Sequence, residues 1–117
     1  YGTADFAEVH GLDSALRYEA LASGEVDVVD GFATDALLMK TPVVLLKDAD
    51  RIFPPYDAIY VVRGELESQR PEVLDALDLL AGAVSDEDMR RMNRAVDIEG
   101  KNAADVAREF LRARGLV

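Results

Sequence analysis

Two aromatic residues with small polar companions carry the chemistry that this 117-residue sequence offers. Phe32 follows the apolar stretch Val26–Val29 and precedes Ala33, Thr34 and Asp35, while Tyr56 closes the turn Phe53-Pro54-Pro55-Tyr56. The face of an aromatic ring attracts a cation by about 0.5–2 kcal/mol, more where water is excluded. Rings that a fold brings together therefore suit a soft, weakly hydrated cation better than a catalytic centre. Neither stretch holds a Lys or Arg to compete for the ring faces. Thr34 and Asp35 have two readings. Both residue types cap helices, and the apolar run Ala36–Met39 follows them. Alternatively, Thr34 or a free backbone N–H at this helix start meets a ligand carboxylate. Asp35 would repel such a group, so it fits better as a cap or a closing contact.

Other chemistries are poorly served. His10 is the only histidine, cysteine is absent, and no serine stands in a Gly-x-Ser-x-Gly setting. Asp27, Asp30 and Asp35 are the candidates for an acid/base pair, but Asp27 and Asp30, three apart on a strand, face opposite sides and pair poorly. Asp48-Ala49-Asp50 opens like a calcium loop, but Phe53 stands where the glycine is needed and Ile59 where the closing glutamate is needed. No enzyme activity, cofactor or metal is expected. A net charge of −10 disfavours nucleic acid and anionic membranes, and an acidic surface favours cationic ligands. No apolar run approaches the roughly 18–20 residues that span a bilayer. The sequence opens on Tyr1 without a leader-like segment, so the expected native start lies upstream.

The elements that must position the two rings alternate. Phe6–Val9 reads as a short strand. Asp13 or Ser14 starts a helix that runs to about Ser23, with Gly24 past its end. Val26–Val29 is a β-branched strand, and Val43–Leu46 and Ala58–Val62 are apolar runs that fit buried parallel strands. Tyr60 is expected in the core, and Tyr18 as a half-buried surface residue. Three helices end the chain. Pro71 opens the first, which bears Val73, Leu74, Leu77 and Leu80. Ser85 caps the second, with Asp86, Glu87 and Asp88 as a solvated acidic first turn. Asn102 caps the third, which ends at Gly115. Arg90, Arg91 and Arg94 are expected to pair with acids at helical spacing.

The segments GEVDVVDGFATD, VVLLKDADRIFPPY, AIYVVR and the tail from Ser85 to Leu116 resemble, in this order, the C-terminal part of the glycine betaine/choline/carnitine-binding proteins of osmoprotectant ABC transporters. The resemblance implies an α/β fold, the C-terminal portion of a bilobed type II periplasmic-binding fold that ends in three helices. It places residues 1–46 mostly in the second lobe. Residues 47–117 then form the hinge-side wall of the cleft and the helical part of the first lobe. In that family an aromatic after the lobe's last strand and another in a Phe-Pro-Pro-Tyr turn wall a cage around a trimethylammonium group. Phe32 and Tyr56 stand in the matching places, with Thr34 and Asp35 as polar companions. The family often has Tyr-Ser-Thr-Asp where this chain reads Phe32-Ala33-Thr34-Asp35, so a hydroxyl and a hydrogen-bond donor are lost.

The function so implied is solute binding for an ABC importer, with a quaternary-ammonium compatible solute such as glycine betaine, choline or carnitine. The partner is the transporter permease, met at the periplasmic or extracellular face of the membrane. The binding protein is free, lipid-anchored or fused to that permease. The rival reading is a ligand-free sensory or protein-interaction module on the same fold. Taken alone, the chain is expected to hold only part of the site and to self-associate through its apolar strands.

Overall fold

The computed structural model describes residues 6–117. Helix α1 (Arg17–Ser23) comes first, followed by a 3-10 helix (Ala36–Met39), and then by α2 (Glu65–Gln69), α3 (Pro71–Asp78), α4 (Asp86–Asp97) and α5 (Ala103–Ala113). Tyr1 lies outside the described residues.

The helix ends follow their sequence signals closely. Gly24 adopts φ 77°, a left-handed conformation, and its N–H closes α1 on the carbonyls of Ala20 and Leu21. Pro71 opens α3, where a missing N–H costs nothing. Ser85 caps α4 in a reciprocal box. Its hydroxyl accepts from the Asp88 N–H, and the Asp88 carboxylate accepts from the Ser85 N–H. The Asn102 side chain accepts from the N–H groups of Ala104 and Asp105 at the start of α5. Helix α1 starts later than expected, because Asp13 and Ser14 belong to a turn in which the Leu16 N–H donates to the Asp13 carbonyl at 2.9 Å. The short helix α2 had no clear sequence signal.

The expected strands are the main departure. Phe6–Val9, Val26–Val29, Val43–Leu46 and Ala58–Val62 form no strand among the described residues. The periplasmic-binding α/β sheet is thus not built among the described residues, whose architecture is helical with irregular connections. A strand needs a neighbour for its N–H and C=O groups, and among the described residues no two of these segments pair through backbone hydrogen bonds. Their side chains accordingly face outward: Val44, Leu46, Ile59, Tyr60 and Val61 are exposed, so Tyr60 is not a core residue.

The remaining core is small. Tyr18 and Ala20 of α1 and Ala36 of the 3-10 helix are its buried apolar members among the described residues. Helix α4 lies against that 3-10 helix and against α5, and α2 lies against α3. The radius of gyration is 18.4 Å, against about 13 Å for a compact chain of this length. The accessible surface is 9788 Å², where a closed globule of this mass would expose about 6300 Å². Helix packing therefore organises the tail and the Phe32 loop, while residues 42–62 form neither helix nor strand.

Candidate functional site

Phe32 and Tyr56, 24 positions apart in the chain, lie together. Their ring centroids are 5.6 Å apart with an interplanar angle of 25°, a stacked pair. Tyr56 arrives on the Phe-Pro-Pro-Tyr turn, whose entry is set by Asp48. The carboxylate of Asp48 accepts from the N–H groups of Ile52 (3.0 Å) and Phe53 (2.9 Å), and Arg51 between them takes φ 52°. The two prolines then fix the backbone leading to the ring. Tyr56 is 85% exposed, so stacking on Phe32 is its chief ring contact.

Asp35 is the hinge of the Phe32 side. It sits at the N-cap position of the 3-10 helix, yet its side chain makes no capping bond there. The carboxylate turns back instead. It accepts from the Phe32 N–H at 3.1 Å and from the Tyr18 hydroxyl at 2.6 Å. The N-cap expectation thus holds for Asp35's place but not for its side chain. Tyr18 is 6% exposed, a buried member of the site and not the surface tyrosine expected from its polar neighbours Arg17 and Glu19. Burial, followed by the hydrogen bond to Asp35, pushes its pKa up to about 12. Gly31 makes room for this arrangement, since a Cβ there would stand 2.7 Å from the Tyr18 hydroxyl oxygen.

Two side chains from α4 grip the next residues of the loop. The Arg90 guanidinium donates to the Ala33 carbonyl at 2.5 Å, and the Asn93 amide donates to the Thr34 carbonyl at 2.9 Å. Arg90 is therefore a loop-holding residue and not one of the surface ion pairs expected at helical spacing. Arg91 does pair with Glu87 and Asp88, and Arg94 pairs with Glu99. The acidic first turn of α4 also departs from expectation, because Asp88 is only 4% exposed. Its carboxylate accepts from the Ser85 hydroxyl (2.7 Å) and N–H, from Arg91, and from Arg114 at the end of α5 (2.6 Å). The Ser85 hydrogen bonds first, and then the two guanidinium groups, hold its pKa down at about 2.

Sequence reasoning also missed Arg17. Its guanidinium carbon lies 5.7 Å from the Phe32 ring centroid and 5.7 Å from that of Tyr18. The ring of Phe32 thus already has a cationic neighbour, brought from α1 by the fold and invisible to a search along the local stretch. Among the described residues, no group of three or more His, Cys, Asp or Glu is placed to hold a metal ion. No helix among them is long and apolar enough to cross a membrane.

A pair of rings, a carboxylate that fixes one of them, and an adjacent guanidinium thus lie together. The chain belongs to the OpuAC family, the substrate binding domain of the ABC-type glycine betaine transport system, which it matches over residues 1–113. This is a solute-binding family of importers and not a family of enzymes. The chain is similar to the ergothioneine transport permease/ergothioneine binding protein EgtU of Helicobacter pylori (strain G27), at 35% identity over 95% of this chain and 20% of that protein. It is similar to the carnitine transport binding protein OpuCC of Listeria monocytogenes serotype 1/2a (strain 10403S), at 33% identity over 92% of this chain and 35% of the relative. The glycine-betaine-binding protein of Pseudomonas aeruginosa PAO1 is 33% identical over 94% of this chain and 35% of its own length. The chain thus spans about a third or less of the curated relatives it matches.

Proposed function

We propose that this chain supplies part of the binding site of an ABC-importer solute-binding protein, and that Phe32 and Tyr56 are two walls of an aromatic cage for a trimethylammonium group. The single observation that carries this is the stacked Phe32–Tyr56 pair, assembled from two separate segments and held on both sides by polar anchors. The ligands named for the three relatives support the choice of chemistry. Ergothioneine, carnitine and glycine betaine each combine a trimethylammonium group with a carboxylate.

The rings at 5.6 Å leave no slot for a cation between their faces. A stacked pair holds together by about 0.5–1.5 kcal/mol. A desolvated quaternary ammonium over ring faces gains a comparable or larger amount. Entry of the ligand therefore swings the exposed Tyr56 ring away from Phe32, whose backbone is fixed by Asp35. Phe32 lacks a hydroxyl, which costs little, because a quaternary nitrogen makes no hydrogen bond. Thr34 serves the anionic end of the ligand, and Asp35 acts through Phe32.

On this reading residues 1–46 belong mostly to the second lobe and residues 47–117 to the hinge-side wall and first lobe of a bilobed α/β fold. The Arg90 and Asn93 bonds to the loop then run between lobes, and ligand entry favours the closed arrangement that a permease reads at the outer face of the membrane.

Calorimetry on the intact protein with glycine betaine, carnitine and choline tests this. Tyr56→Ala is expected to weaken binding by about 1–3 kcal/mol, and Tyr56→Phe by much less, because the ring face is the contact. Equal losses would make the hydroxyl the contact and remove the cage. An intact protein that binds no trimethylated amine would instead be a ligand-free interaction module.

A further inference from the structure

The geometry points to Arg17 as the residue that makes this site select zwitterions, with the guanidinium receiving the ligand's carboxylate beside the Phe32 ring. The inference rests on the quaternary-ammonium function proposed above and adds, besides Thr34, a charged partner for the ligand's anionic end.

The side chain of Arg17 is only 12% exposed, yet its donors are poorly used. One terminal nitrogen, Nη1, makes two long bonds of 3.3 Å, to the carbonyl and to the carboxylate of Asp30. The Asp30 side chain is 98% exposed, so water competes for it fully. The other terminal nitrogen, Nη2, lies 3.9 Å from an Asp35 oxygen that is already bonded to Tyr18 and to the Phe32 N–H. Nε is buried and has no partner at all. Buried donors are almost always satisfied, and an unfilled one marks a place where a partner is missing. Nη1, held only by its two long bonds to the exposed Asp30, is the donor that a ligand carboxylate can take.

The same guanidinium sits 5.7 Å from the Phe32 centroid, within the range at which a cation feels the ring. A plain quaternary cation placed on Phe32 therefore meets a fixed positive charge. A ligand carrying a carboxylate next to its ammonium places the negative group against Arg17 and turns the repulsion into an attraction. The exposed, weakly held Asp30 is the group that the ligand carboxylate displaces.

The test compares two probes, glycine betaine and tetramethylammonium, by calorimetry on the intact protein. Arg17→Met keeps the apolar stem and removes the charge. It is expected to weaken glycine betaine about tenfold or more, the effect of losing a charge-assisted pair, and to leave tetramethylammonium unchanged or tighter. Asp30→Asn, at a side chain that is almost fully exposed, is expected to tighten glycine betaine and to weaken tetramethylammonium. Equal weakening of both probes by Arg17→Met would make the residue structural and overturn the inference. Glycine betaine indifferent to Arg17→Met would also overturn it. If Arg17→Met does not fold, glycine betaine unchanged or weakened by Asp30→Asn is enough to overturn it. A wild-type protein that binds neither probe defeats the quaternary-ammonium function itself, whereas binding that ignores Arg17 and Asp30 defeats this inference alone.

Discussion

Tyr18, Asp35 and Gly31 form a unit whose coupling has a definite size. Tyr18→Phe removes the hydroxyl that donates to Asp35 at 2.6 Å. A hydrogen bond to a charged group contributes about 1.5–3 kcal/mol. Asp35 keeps its bond from the Phe32 N–H and its side chain is about a quarter exposed, so water replaces part of the loss. A cost of about 1–2 kcal/mol is expected. Gly31→Ala drives a methyl to 2.7 Å from the same hydroxyl, which a buried ring cannot move aside. Overpacking of this kind costs about 1–3 kcal/mol, offset by about 0.4–1 kcal/mol from the stiffer unfolded chain. With the hydroxyl gone, the next atom that the methyl meets is the Tyr18 ring carbon Cζ at 3.6 Å, an ordinary contact. Gly31→Ala should thus stabilise by about 0.4–1 kcal/mol in the Tyr18→Phe background, giving a coupling of about 1–3 kcal/mol, the overpacking cost itself. Urea midpoints of the intact protein and the three variants, compared at constant slope, measure it. Additivity within about 0.5 kcal/mol would mean that the hydroxyl does not lie over Gly31 and that the Tyr18–Asp35 anchor is misplaced. Alkaline titration offers a second readout. Because folding raises the pKa of Tyr18 from 10.0 to about 12, its contribution is complete below pH 10 and is lost as pH rises through about 12. The Tyr18→Phe variant should lack that part of the alkaline slope.

Other measurements probe the remaining contacts. Folding lowers the Asp88 pKa from 3.8 to about 2, so its contribution is present above pH 3.8 and is lost as pH falls through about 2. Asp88→Asn should lower stability at neutral pH and flatten the acid limb in that window, and an unchanged limb would remove Asp88 as the link between α4 and α5. Asn93→Ala, which leaves the Thr34 carbonyl without its donor, should weaken ligand binding several-fold while Tyr56 still stacks, read by calorimetry beside hydrogen exchange of residues 32–35. Binding that is unchanged, with slow exchange retained, would show that Arg90 alone holds the loop. Residues 1–117 produced alone should self-associate and bind glycine betaine no better than millimolar. A monomer by sedimentation, or submillimolar affinity, would show that the chain covers its own apolar segments and completes its own site.

The sequence was most legible where one residue type settles a local question. Gly24, Pro71, Ser85 and Asn102 each end or start a helix as their backbone and hydrogen-bonding chemistry requires, and these assignments needed no knowledge of the rest of the chain. The strands were a different kind of inference. β-branched and apolar runs show that Val26–Val29, Val43–Leu46 and Ala58–Val62 are suited to a sheet, but a sheet is made between segments, and pairing is absent from a list of neighbours along the chain. The same limit explains the site. Phe32 and Tyr56 were nameable as rings with a use, whereas Arg17, Arg90 and Asn93 read as ordinary helix-surface residues until the fold placed them at the loop.

That contrast bears on how ligand selectivity arises in this chain. The ring pair is encoded twice in local sequence, by an aromatic beside Thr34-Asp35 and by an aromatic after two prolines, and on the proposed function it supplies the attraction to a soft cation. On the proposed role of Arg17, charge discrimination is encoded at a distance, because a guanidinium on α1 lies beside Phe32 where Tyr18 and Asp35 tie α1 to the loop. Substitutions in the two local motifs should therefore change how tightly quaternary ammonium ligands bind as a class. Substitutions at Arg17, Tyr18 or Asp30 should change the ranking of zwitterions against plain cations, with Tyr18→Phe shifting the ranking in the same direction as Arg17→Met but less far. A Tyr18→Phe variant that lowers both affinities in equal proportion would separate the anchor from the selectivity and place Arg17 under another control.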